Sequence, residues 1–172
     1  MSQVLSTFIY IAENAAYSKL RQFNSFQGAP CPTGWTPFKT GYCYLASSSI
    51  KTWDQAQAYC RARKGALVKI NSGEENEFVL ELAKKNAPSV KQVWIGLKWE
   101  SSVNKFLWYD KSFPVYTNWA PHEPNGNAGE PCGNLFTGHT RYLPSRASGY
   151  WNDHICEGPT GWHCGLVCKR LP

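Results

Sequence analysis

Gln92-Val93-Trp94-Ile95-Gly96-Leu97 is the stretch on which the fold class turns. It opens a series of short strand-like runs, continued by Phe106–Tyr109, Tyr150–Trp151 and Gly165–Cys168. Upstream of Pro88 the pattern is different. Thr52-x-x-Gln55 is a capping box, with a hydroxyl and a side-chain amide placed to satisfy free amides at a helix start; Gly65 is the expected stop, and Trp53, Ala56 and Cys60 share the inner face. Ser72-x-x-Glu75 repeats the device. Glu74, Glu75 and Glu77 in its first turn and Lys84 and Lys85 in its last suit the helix dipole, while Phe78, Val79 and Leu82 supply the buried side. Gly41–Leu45 precedes both helices as a strand. Two early helices followed by strands indicate an α+β domain.

The 172 residues leave room for one domain and a short appendage. With 42% hydrophobic, 15% aromatic and only 17% charged residues, the chain is too apolar to be disordered. No apolar stretch approaches the ~20 residues of a membrane helix, so no span is expected. The net charge of +6 is spread along the chain without a run of five like charges, which is too diffuse to indicate nucleic acid.

Seven cysteines, at 31, 43, 60, 132, 156, 164 and 168, are dispersed, and no two stand two residues apart. Disulfides in an oxidising compartment are the first reading, with at least one thiol left over by the odd count. Zinc held among His154, Cys156, His163, Cys164 and Cys168 competes, but it lacks the two compact knuckle pairs of structural sites.

At the N-terminus, Val4–Ala12 is apolar, yet no basic residue precedes it and Glu13 follows, so it makes a poor secretory leader. Leu5, Phe8, Ile9, Ala12, Ala16, Leu20 and Phe23 instead recur at spacings of three and four, the stripe of an amphipathic helix. It could pack on the chain's own domain or form a neck between subunits. Ser, Gly and two prolines within Asn24–Pro32 place the boundary there: residues 1–30 are a helical appendage and linker, and 31–172 the domain.

Residues 113–149 form a long Gly, Pro and Asn-rich stretch, expected to be a loop that carries function. Trp119, Cys132, Phe136 and Tyr142 speak against disorder, and Cys132 can be tied to the strand end at Cys156. Within or just after this stretch stand Glu123, Asn125, Glu130, Asn152 and Asp153. Carboxylates and amides without thiolate or imidazole suit a hard cation, and calcium takes six to eight oxygens. Three carboxylates around one dication leave the site near −1; without the ion they repel one another.

From Cys31 to about Leu171 the chain resembles the C-type lectin-like domain. The match rests on Trp94-Ile95-Gly96-Leu97, on Trp119 before Glu123-Pro124-Asn125, on Gly129-Glu130-x-Cys132, on Trp151-Asn152-Asp153-x-x-Cys156 and on Cys168. The resemblance implies a C-type lectin-like fold, two helices flanking small antiparallel sheets with a long calcium-binding loop, stapled by disulfides. It implies pairs Cys31–Cys43, Cys60–Cys168 and Cys132–Cys156, with Cys164 over, and makes Trp94 packing rather than ligand. It places Glu123, Asn125, Glu130, Asn152 and Asp153 around one calcium, with the Asp153 carbonyl as a further ligand and Glu123–Pro124 cis. In family members with this set, two neighbouring sugar hydroxyls coordinate the ion while donating to the carboxylates and accepting from the amides. The Glu-Pro-Asn order is associated with mannose, fucose and N-acetylglucosamine.

Two departures qualify the likeness. Trp99, Val103 and Gly126 stand where members with an auxiliary calcium carry acidic residues, so one calcium is expected. The segment from Cys132 to Asn152 is longer than usual and adds His139, Arg141, Tyr142 and Arg146, which could also bring an anionic glycan within reach. The expectation is a secreted, calcium-dependent carbohydrate-binding protein of invertebrate type, with a homo-oligomer formed through the N-terminal helix or Cys164 as its route to avidity. The alternative is the same fold used as a protein, mineral or ice-binding module, with calcium only structural. An enzyme is not expected, since no nucleophile elbow, phosphate loop or HExxH occurs.

Overall fold

The computed structural model describes residues 30–39, 41–49, 51–138, 148–157 and 164–172; the N-terminal stripe, His139, Arg141, Tyr142, Arg146 and His163 lie outside them. The elements follow in the order β1 (Thr36–Phe38), β2 (Tyr42–Ser47), α1 (Trp53–Arg61), β3 (Ala66–Leu67), α2 (Gly73–Asn86), β4 (Gln92–Glu100), β5 (Lys105–Trp108), β6 (Cys132–Phe136), β7 (Trp151–His154) and β8 (Cys164–Arg170).

Both helices begin where their caps predict. Thr52 accepts from the Gln55 amide at 3.2 Å while Gln55 Oε1 accepts from the Thr52 amide at 3.1 Å, which completes the box. At α2 only half of it forms. Ser72 accepts from the Glu75 amide, but the Glu75 carboxylate turns inward to the Asn71 amide (2.8 Å), the Tyr44 hydroxyl (2.6 Å) and Lys169 Nζ (2.5 Å). A carboxylate that is 1% exposed takes partners able to neutralise it over a second capping bond. Gly65 is not the residue that stops α1. Lys64, at φ +59°, takes the left-handed position, and Gly65 is needed because a Cβ would stand 2.8 Å from the Lys169 carbonyl oxygen.

The strands form one eight-stranded sheet in the order β1-β2-β8-β4-β6-β7, with β3 also on β8 and β5 on β4. Small antiparallel sheets were expected, but β4 and β8 run parallel, Gln92↔Cys164 to Trp94↔Leu166, and weld them into one mixed sheet. This pairing joins strands far apart in sequence, which local patterning does not register. The 113–149 stretch differs too: β6 lies inside it, buried at every residue.

Alternation along β4 divides the core. Ile95 and Leu97 face a cluster with Val79, Leu80, Leu135, Trp108 and Trp151, whereas Trp94 faces one with Trp53, Cys60, Leu166 and Cys168. Gly96 between them leaves no room for a Cβ, with the Tyr109 ring at 2.9 Å and the Leu67 carbonyl at 3.0 Å. Two of the core indoles are anchored: Trp94 Nε1 donates to the Lys51 carbonyl and Trp53 Nε1 to that of Ile95, both at 2.8 Å.

Disulfides join Cys31 to Cys43, Cys60 to Cys168 and Cys132 to Cys156. With Cys156 and Cys168 thus consumed, the zinc reading fails. Cys164 is a free thiol, 1% exposed, and burial pushes it up to about 12. This corrects its expected use as a link between subunits, because a buried, protonated thiol presents no nucleophile to a second chain. Among the described residues no helix is long and apolar enough to cross a membrane.

Candidate functional site

Trp151 positions the site. It opens β7 fully buried, its indole donates to Asn76 Oδ1 at 2.7 Å, and the rings of Trp108, Tyr116 and Trp119 stand edge-on to it at 5.6–5.8 Å. Its backbone holds the incoming loop: the Trp151 amide donates to the Asn118 carbonyl at 2.7 Å and its carbonyl accepts from Ala120 at 2.8 Å. The Glu123 amide then bonds back to Ala120 at 2.9 Å. Glu123-Pro124-Asn125 is thereby brought over Asn152-Asp153, some thirty residues later in the chain. The Glu123–Pro124 peptide is cis.

The five residues singled out from the sequence meet here. Asp153, fully buried, accepts three successive backbone amides, from Asn125 at 3.0 Å, Gly126 at 2.9 Å and Asn127 at 3.0 Å. This nest of three amides curls residues 125–127 around the carboxylate. Asn125 Nδ2 donates to Glu123 Oε1 at 3.1 Å, and Asn152 Nδ2 lies 2.5 Å from the Asp153 carbonyl oxygen. Glu130 lies directly over Gly126, where a Cβ would collide with its side chain.

Glu123 carries the strain of this arrangement. Burial pushes its carboxyl up to about 7, and contact with Asp153 and the charge of Glu130 add to the push. Its Oε2 is buried without a hydrogen-bond partner among the described residues. Among the described residues no three carboxylate, imidazole or thiolate groups gather tightly enough to hold a metal alone, so a cation here would also need amide and backbone oxygens. The donor set fits calcium in kind: every candidate ligand atom is oxygen, the cluster is acidic, and one buried oxygen lacks a positive partner.

Sequence reasoning missed the role of residues 125–127 as amide donors to Asp153 and that of Asn118 and Trp151 as the loop's anchor. Asn125-Gly126-Asn127, a turn-forming run, was the available signal. His122, exposed at φ +71°, adjoins the site in sequence, while His154 approaches the neighbouring Ile155 carbonyl.

A family model for the C-type lectin domain matches residues 49–166. The human C-type lectin domain family 17 member A is 36% identical over 139 residues, 81% of this chain, and the chain spans about a third of that relative's length. A perlucin-like protein of Mytilus galloprovincialis is 32% identical across 80% of this chain and 81% of its own. The cow CD23 carbohydrate-recognition domain, solved in the presence of a GlcNAc2Man3 oligosaccharide, superposes with a TM-score of 0.67 at 33% identity, covering 83% of this chain and 97% of that one. A calcium-independent type II antifreeze protein shares the fold alone, at TM-score 0.66 and 24% identity over 83% of this chain and 95% of its own. On the family model, the relatives and the fold together, the chain belongs to the C-type lectin family.

Proposed function

We propose that the protein is an extracellular lectin that binds neutral glycans of the mannose, fucose or N-acetylglucosamine type through one calcium ion held by Glu123, Asn125, Glu130, Asn152 and Asp153. The observation that carries this reading is the buried, unpartnered Glu123 Oε2 within an acidic cluster made wholly of oxygen donors. When bound, the ion supplies coordination for two neighbouring sugar hydroxyls. Carboxylates of this chain would accept hydrogen bonds from those hydroxyls, and the Asn125 and Asn152 amides would donate to the hydroxyl oxygens. The cow domain solved with an oligosaccharide supports the ligand class. On immobilised mannose the protein should be retained in calcium, released by chelator and by free mannose, and held against free galactose. Retention that ignores chelator would overturn the assignment.

A second reading, in which the ion only stiffens the loop of a protein, mineral or ice-binding module, is favoured by one feature. The three amide bonds to Asp153 already organise residues 125–127 without a metal. Release by free mannose separates the two, since a structural module would not respond.

A further inference from the structure

Two grooves, of ≈ 500 and ≈ 520 Å³, lie on either side of Tyr109 and share it as a wall. Each falls within the range of about 300–1,000 Å³ usual for ligand clefts. Neither is lined by any of the five loop residues described above. Seven Lys and Arg side chains face them against three carboxylates, those of Asp54, Glu100 and Asp110. Four of the cations are already held: Lys98 by Asp54, Lys111 by Glu100, Lys69 by Asp110 and Lys169 by the buried Glu75.

Arg61, Lys64 and Arg170 remain without a carboxylate partner among the described residues. They stand close together at the exit of α1. The Lys64 amide donates to the Arg61 carbonyl, and Arg170 Nη1 donates to the Arg63 carbonyl at 3.2 Å, with its guanidinium above the Trp35 ring. Arg170 is thus fixed in place with its charge uncompensated. Between the grooves Tyr109, 37% exposed, lies against Gly96, whose missing Cβ admits the ring.

We infer that this double groove is a second, calcium-independent binding site for an anionic polysaccharide bearing sulfate or uronate groups. Guanidinium forks match such oxyanions in a planar, bidentate way, and an ammonium adds a point charge. An exposed tyrosine offers an apolar face and a wet hydroxyl, which suits a sugar ring. Three disulfides place the fold in an oxidising compartment, where anionic glycans rather than nucleic acids are the prevalent polyanions.

The test uses the full chain in chelator, so that failure of the calcium site cannot imitate failure of this one. Binding to dextran sulfate, to a polyuronate and to unmodified dextran is compared at rising salt, with single-stranded polynucleotide and phosphatidylserine vesicles as competitors. The parent should bind the first two, lose them as salt rises, ignore plain dextran and be unaffected by free mannose. Arg61→Ala with Lys64→Gly, the latter well suited to its left-handed backbone, should bind dextran sulfate about tenfold more weakly. Lys84→Ala with Lys85→Ala removes the same charge from α2 and should leave binding unchanged. Equal loss in both variants, loss in neither, or polynucleotide or vesicles competing as well as dextran sulfate would overturn the inference.

Discussion

Glu123 sets the behaviour of the loop toward protons. Its carboxyl is raised from an ordinary 4.5 to about 7, first by burial and then by Asp153 and Glu130, so in the metal-free protein the folded state holds a proton that the unfolded chain has released. The stability from this proton is fully present below the ordinary value and is lost as pH rises through the folded one. In the proposed function calcium would compete with the same proton, so its affinity should fall as pH drops below neutrality. Melting curves in chelator and calcium titrations between about pH 5 and about pH 8 should therefore move in opposite directions, and Glu123→Gln should flatten the first. Identical trends in parent and variant would assign the linkage elsewhere. Glu123→Gln with Asn125→Asp exchanges acceptor and donor at unchanged charge and should shift preference toward galactose in competition assays; a double variant that still prefers mannose would move selection to other residues. The gathering of the five loop residues was legible because their side-chain types single them out as oxygen donors, and the structure brings them together. Asp153 as host to three amides was not, since a backbone N–H has no letter in the sequence.

Helices announced themselves through local chemistry. Thr52 with Gln55 fixed the start of α1, and Thr52→Ala should cost about 1 kcal/mol in denaturant unfolding. Ser72 fixed α2 equally well, but the fate of Glu75 depended on Tyr44 and Lys169, thirty-one and ninety-four positions away. Cutting this pair with Glu75→Ala leaves Lys169, 9% exposed at its side chain, without its counter-charge and should cost about 3–5 kcal/mol. A loss no larger than that of a surface pair would mean that water replaces the carboxylate. Strand β6 was hidden for the opposite reason. Cys132-Gly133-Asn134-Leu135-Phe136 has no period-two alternation: Gly133 is demanded by Leu97, whose Cβ a side chain would meet at 2.7 Å, and Asn134 is wholly buried. The neighbouring strand explains Gly133, whereas the Asn134 side-chain amide finds no hydrogen-bond partner among the described residues.

For the molecule as a whole, the α+β class was readable from element order, and the merger into one mixed sheet was not, because the β4–β8 ladder joins the middle of the chain to its end. The Cys132–Cys156 bridge spans a separation of 24 residues from β6 to the end of β7. Replacing both cysteines by serine should cost about 3.5 kcal/mol in the chain-entropy account and weaken calcium binding, read together by calorimetry. Intact calcium affinity in that variant would show that Trp151 alone holds the loop. The other two bridges bear on mechanics. A pull on the two ends would run through Cys31–Cys43, along the backbone to Cys60, across to Cys168 and out. Residues 61–167, with β4, β6, β7 and the loop that carries the candidate site, lie off this covalent shortcut. Tension on a tethered copy would therefore pass the binding end by, and its grip on a ligand should be insensitive to stretching until the Cys60–Cys168 bond is reduced.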